Sequence, residues 1–240
     1  DSKGHLTDMF GGLKDIDSKM LRTVGGADER FSEDALRMFR AIRFALQLDF
    51  SVAYEVSESI VKNSELIKKI SEERIRDEFE KIIMSKNPAA GIVMLQKFGL
   101  LRHIIPELEE GIACEQLGEH IYDVWEHLLH ALQHAADKDW PLEIRLAALF
   151  HDIGKAKTER YDESAQRVVF FGHQIVSARQ ARKWMRDFKI ETIGVDFENL
   201  KSGLAKPIYM NARSEIIKLP ARLGGEENKI FSLLFIQGRP

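Results

Sequence analysis

Cysteine is almost absent from this sequence: Cys114 is the single one in 240 residues. With no partner and no Cys-x-x-Cys string, neither a disulfide framework nor a zinc-thiolate site can form within one chain, and Cys114 is expected to be inert. Long apolar runs are missing too, since no stretch reaches the roughly 18 residues of a membrane-spanning helix. The amino terminus, DSKGHLTDMF, has neither the basic start nor the apolar stretch of a secretion signal, so a cytoplasmic protein off the membrane is expected. Excess charge of one sign is also lacking: the net value is −3, which argues against nonspecific coating of nucleic acid but leaves room for a local basic stripe. What is present is a 44% hydrophobic, 30% charged composition, ordinary for a globular chain of one large domain or two small ones. Histidine is unevenly placed, with six of the eight falling between His103 and His151. The first residue is aspartate, and the chain is expected to start inside a longer one.

Residues 1–30 carry five glycines among charged residues and read as loop or linker, with a short strand at 20–24. From Ser32 the pattern becomes helical. Ser32 offers an N-cap, Glu33 and Asp34 suit the first turn, and Leu36, Phe39, Ile42 and Leu46 recur at helical spacing, which predicts one helix over 33–48. Further helices are expected over 52–67, after Ser71 with Ile75, Phe79, Ile82 and Ile83 on one face, and from Asn87-Pro88 to Gly99. Pro106 and Gly111 mark a boundary. Helical spacing resumes over 122–136 and 142–150. The polar segment 154–167 reads as an exposed connection, 168–171 as one short strand, and 179–188 as the end of another helix. Residues 189–240 show no clear period and are left unassigned. The fold class is all-α.

Two constellations carry chemistry. Asp34, Arg37, Arg40 and Arg43 are spaced three apart, so on one helix each neighbours the next while the row drifts by roughly 60° per step. A carboxylate beside a guanidinium offers acceptors and donors side by side, as pairing to the edge of a base requires, and the later arginines can reach phosphates. The plainer alternative is a row of ion pairs on a solvated face, each worth a few tenths of a kcal/mol. The second constellation is His151-Asp152, which follows the apolar helix IRLAALF and can turn into a pocket at its end. Imidazole and carboxylate are suitable ligands for a divalent cation. His127, His130 and His134 share an upstream helix, and His173 follows the polar connection; for each, a histidine satisfied by ordinary hydrogen bonds is the alternative.

The stretch RTVGGADERFSEDALRMFRAIRFALQLDF resembles the neck of bacterial CCA-adding tRNA nucleotidyltransferases and the related poly(A) polymerases. In that family the Glu-Asp-x-x-Arg segment reads the base of CTP or ATP. The resemblance implies Asp34 and Arg37 as the base-reading pair, Arg40 and Arg43 as supporting cations, and Glu33, Arg74 and Glu78 as residues that brace the reading helix. For Arg74 and Glu78 the alternative is a surface ion pair one turn apart. DMFGGLKDIDSKMLRTVG resembles the segment joining catalytic head to neck, and SEERIRDEFEKIIMSKNPAAGIVMLQKFGLLRHIIPEL the rest of the neck. One departure is visible: Gly25, Gly26 and Ala27 stand where the family usually has Gly-Asp-Pro, which predicts a looser turn.

The later histidines resemble the His…His-Asp…His progression of HD phosphohydrolases, implying His127, His151, Asp152 and His173 as metal ligands, with His130 and His134 at the surface or a helix interface. HD domains also use a late aspartate, for which Asp187 and Asp196 are candidates. The implied organisation is a linker over 1–30, a helical neck over 31–110 and a helical HD-type domain over 111–188. The implied partners are tRNA, CTP and ATP. In some family members the HD domain hydrolyses cyclic phosphate or 2′-phosphate ends, and in others it helps hold the tRNA body. Nucleotidyl transfer itself needs head carboxylates that hold Mg2+ ions. The Asp15-Ile16-Asp17 string lacks the preceding Gly-Ser of that head and is rejected as the catalytic pair. A headless portion that does not add nucleotides by itself is therefore expected. Poly(A) polymerase, a stand-alone metal-dependent phosphohydrolase and a non-catalytic RNA-binding remnant stay open as alternatives.

Overall fold

A computed structural model describes residues 7–116, 122–164 and 166–190, together with the backbone of 209–210 and 216–217. The chain enters through α1 (Gly12–Asp17) and the two-residue β1 (Met20–Leu21), which lies parallel to β2 (Ser51–Val52). Between the two strands run α2 (Ala27–Glu33) and α3 (Leu36–Leu48). The single helix expected over 33–48 is thus two helices. Asp34 breaks them with extended backbone (φ −151°, ψ 102°), and its side chain accepts the Leu36 N–H at 3.2 Å, taking the capping role assigned to Ser32. Ser32 lies exposed within α2, where Phe31 turns inward to the core. The break serves both ends: α2 buries Phe31, and α3 buries Leu36, Met38, Phe39, Ala41, Ile42 and Ala45.

The helix expected over 52–67 is α4 (Tyr54–Asn63), which tightens into a 3-10 segment over Ser64–Lys69. α5 (Glu72–Ile83) follows Ser71. α6 (Pro88–Lys97) begins on a proline whose missing N–H is no loss at a first turn. Gly99 takes φ +72° just past its end. Gly91 lies where α6 crosses its neighbours, and a Cβ there would come within 2.4 Å of Ile82 Cγ2 and 2.8 Å of Leu46 Cδ1. A 3-10 turn (Leu101–His103) and α7 (Pro106–Glu109) complete this part.

α8 (Val124–Asp137) starts at a capping box, with Asp123 accepting the Glu126 N–H at 2.7 Å and Glu126 accepting that of Asp123 at 3.4 Å. α9 (Leu142–Phe150) packs along α8. The exposed connection expected over 154–167 is structured: it holds α10 (Lys155–Thr158) and β3 (Arg160–Asp162), antiparallel to β4 (Arg167–Val169) with Tyr161 opposite Val168. Its polar residues hid a hairpin whose strands are too short to show an alternating pattern. The next helix, α11 (His173–Asp187), begins earlier than its apolar period suggested. β5 (Tyr209–Met210) pairs with β6 (Ile216–Ile217) in the region left unassigned. Among the described residues the fold is all-α apart from these short pairs.

One apolar core runs from Phe31 through Phe79, Ile92, Leu108, Val124 and Leu149 to Trp184 and Phe188. It does not stop at Pro106–Gly111. The Phe79 and Trp184 rings meet at 5.1 Å, joining α5 to α11, and Gln133 of α8 donates to the Lys86 carbonyl at 2.9 Å. Arg145 of α9 is buried and donates to the carbonyls of Trp140, Ile83 and Ser85 at 2.8, 3.1 and 2.9 Å. It thereby satisfies carbonyls at the α5 terminus that no helical N–H can reach.

Candidate functional site

Asp34, in the joint between α2 and α3, receives Arg74 of α5 at 2.8 Å. Partial burial works against its ionisation, but Arg74 and the Leu36 N–H outweigh that and hold the carboxyl below its ordinary value. Arg37, on the first turn of α3, is held by Glu33 at 2.6 Å and donates to the Arg30 carbonyl at 3.1 Å. Asp34 and Arg37 are therefore adjacent in space but fixed by different partners, and Asp34 does not share the arginines' helix. Glu78 of α5 is 3% exposed and gathers three cations: Arg43 at 2.7 Å, Lys81 at 3.1 Å and Arg40 at 3.7 Å. Burial opposes its ionisation as well, and the Arg43 and Lys81 hydrogen bonds lower it overall. Arg43 spends the rest of its guanidinium on Gln47 at 2.8 Å and on the Phe44 ring, 4.1 Å away. Arg74 and Glu78 thus brace α3 from α5, across the helix pair and not along one helix. Along α3, Arg37 and Arg40 keep more exposed guanidinium groups than Arg43. Asp15 of the DID string is engaged by Arg22 at 2.9 Å.

The second cluster lies where α8, the end of α9 and the start of α11 converge. His127 Nε2 is 3.0 Å from His151 Nε2 and 3.4 Å from Asp152 Oδ2; His151 Nε2 is 3.3 Å from the same oxygen, and His173 Nε2 is 3.4 Å from Oδ1. Nitrogen and oxygen atoms each about 2.1 Å from a shared cation stand about 3–3.5 Å from one another, so the spacing of His127, His151 and Asp152 Oδ2 fits a divalent ion, while His173 faces the other carboxylate oxygen, Oδ1, outside that group. The ring orientations fit as well. Nδ1 of His151 faces the Ala148 carbonyl at 2.9 Å and Nδ1 of His173 the Phe170 carbonyl at 2.7 Å. A carbonyl only accepts, so the proton sits on Nδ1 and the Nε2 side is turned to Asp152. Burial pushes the His127 pKa down despite Asp152, favouring the neutral ring that ligation needs. Burial also disfavours the Asp152 carboxylate, and its pKa is lowered overall where the facing nitrogens of His127, His151 and His173 carry protons to donate to it. His127, His151 and Asp152 form a group able to hold a metal ion.

Close approach of α11 depends on Gly154, where a Cβ would stand 2.6 Å from the Ser177 nitrogen and 2.8 Å from the His173 carbonyl oxygen. The Gly154 N–H donates to the buried Ser177 hydroxyl at 2.9 Å. His130 and His134 lie outside the cluster, in ring contact with Tyr122 at 4.3 Å and Trp140 at 6.0 Å. Asp187 ends α11 beside Arg186, about 20 Å along the axis from His173. Asp196 falls outside the described residues. Two residues of this site escaped the sequence reading. Lys155 donates to Asp152 Oδ2 at 2.7 Å and to Gln116 Oε1 at 2.5 Å. The Lys155 signal was available in the string HDIGK, where it follows Asp152 by three; nothing local marks Gln116.

A family model described as the probable RNA and SrmB-binding site of polymerase A matches residues 49–112, and an HD domain model matches 117–219. The "CC-adding tRNA nucleotidyltransferase" of Thermus thermophilus is 34% identical over 190 residues, covering 73% of this chain and 43% of that protein. The "A-adding tRNA nucleotidyltransferase" of Deinococcus radiodurans is 33% identical over 192 residues, with 77% and 44% covered. The "CCA-adding enzyme" of Ligilactobacillus salivarius is 50% identical over 92 residues, with 38% and 23% covered. The chain spans less than half the length of these relatives. On these matches, the chain belongs to the CCA-adding tRNA nucleotidyltransferase and poly(A) polymerase family.

Proposed function

We propose that this chain is the nucleotide-reading and RNA-holding portion of a cytoplasmic CCA-adding tRNA nucleotidyltransferase, with CTP, ATP and tRNA as partners. The observation that carries this reading is the α3–α5 ion lattice, in which Arg74 fixes Asp34 and buried Glu78 fixes Arg43 and Arg40. Asp34 offers acceptors and Arg37 donors to the edge of a base, while Arg40 faces the phosphates. The neck comprises 31–110 and the HD unit 111–188. Mg2+ serves the transfer step at head carboxylates, which the Asp15-Asp17 string does not supply. Relatives named for adding CC, A and CCA are all similar to this chain. Calorimetry of the chain with CTP and ATP, and filter binding of a tRNA lacking its CCA end, test the reading. Binding that survives Asp34→Ala and Arg37→Ala sinks the base-reading assignment.

A second reading, favoured by the converging imidazoles, is a metal-dependent phosphohydrolase at the HD cluster. A divalent ion held by His127, His151, Asp152 and His173 would supply Lewis acidity there, and Lys155 would offset charge on a phosphate. Metal analysis of the purified chain and an assay on 2′,3′-cyclic and 2′-phosphate nucleotides decide it. If tRNA binds and nothing is hydrolysed, the HD unit is a holding element alone.

A further inference from the structure

α11 (His173–Asp187) carries Arg179, Arg182, Lys183 and Arg186 against a single acid, Asp187, in a chain whose net charge is −3. At 100° per residue, Ile175, Arg179, Arg182 and Arg186 fall within an arc of about 60°, along about 16 Å of helix. This stripe stands opposite Ser177 and Trp184, which are buried, and its own residues are exposed. It begins beside two apolar side chains in water, Phe171 at 75% exposure and Ile175 at 65%. Phe171 precedes His173 by two residues, so the stripe starts where α11 meets Asp152. An aromatic face followed by cations at even spacing suits a strand with stackable bases and regularly spaced phosphates. It does not suit a membrane, because the remaining face of α11 is committed to the core and only two apolar residues are left to insert.

We propose that the outer face of α11, entered at Phe171, is a binding track for single-stranded RNA that carries the strand past the His-Asp cluster. The proposal rests on the RNA-holding reading above and assigns it a surface.

The test is fluorescence anisotropy of the full chain with a short fluorescein-labelled single-stranded RNA over a salt series, with circular dichroism to establish that each variant is folded. Arg179→Gln with Arg186→Gln is expected to weaken binding about ten-fold and to lower the slope of log K against log salt by about 1.4. Phe171→Ala is expected to cost about ten-fold with no change of slope. Lys14→Gln, an exposed site in α1 outside the neck and the HD unit, leaves both unchanged. With 5-bromouridine in the strand, photocross-links are expected between residues 171 and 175. If the unmodified chain binds neither this RNA nor tRNA, the RNA-holding reading itself fails. If it binds tRNA while the α11 variants bind as tightly as the parent, or cross-links fall only elsewhere, the track alone is overturned. Sedimentation with phosphatidylglycerol vesicles that depends on Arg179 and Arg186 also overturns it, in favour of a lipid surface.

Discussion

Glu78 has little water around it and three cations in reach. A neutral amide there would still accept one hydrogen bond from Arg43 but would leave the positive charge of Arg43 and Lys81 uncompensated. Glu78→Gln is expected to lower the unfolding free energy by about 2 kcal/mol, read from urea denaturation near neutral pH. Asp28 tests the acid limb. Its carboxyl, brought down to about 2 by Lys62, with Ser59 and Asn63 adding hydrogen bonds, binds its proton more weakly folded than unfolded. Its contribution is therefore present above the unfolded value near 3.8 and lost as pH falls through about 2. In Asp28→Asn that portion of the acid-induced loss between those limits should vanish; an unchanged pH profile would remove Asp28 from the account.

Helix placement was largely legible in the sequence, and α9 shows why. Its residues, LEIRLAALF, are bounded by Pro141 and the polar His151-Asp152, so period and boundary agree. The break at Asp34 was not legible, because SEDALR satisfies a helical pattern on both sides and only the reach of Arg74 from α5 and the inward turn of Phe31 select the joint. The convergence of α8, α9 and α11 on Asp152 was suggested by resemblance, since histidines so far apart carry no spacing signal. Gly154 shows how the backbone admits that convergence. Gly154→Ala should push α11 outward, since the atoms in the way are backbone and cannot rotate aside. His173 then retreats from Asp152. Retained helical content with at least ten-fold weaker Mn2+ or Ni2+ binding by calorimetry is the expected result, and undiminished affinity would show that His173 is not needed.

Across the whole molecule, Arg145 ties α9 to the end of α5 through three carbonyls. Methionine could fill part of its volume but would leave those acceptors dry. Arg145→Met is expected to cost about 3 kcal/mol. It should also separate hydrogen-exchange protection of α8 and α9 from that of α3 and α5, which the continuous core is expected to keep together in the parent. Coincident exchange in the variant would show that the aromatic contact of Phe79 with Trp184 suffices to couple them. The continuous core beneath this clamp bears on how the chain can be rearranged. A chimera that joins a foreign HD unit at Gly111 inherits half of a packing surface shaped for Phe79, Ile83 and Lys86, whereas one cut before Met20 keeps that surface together with Met20, Leu21 and Ala27, which pack against the core. A transplant that is to keep this core is therefore expected to need at least residues 20–190, and Gly111 is a junction in the sequence without being a seam in the fold.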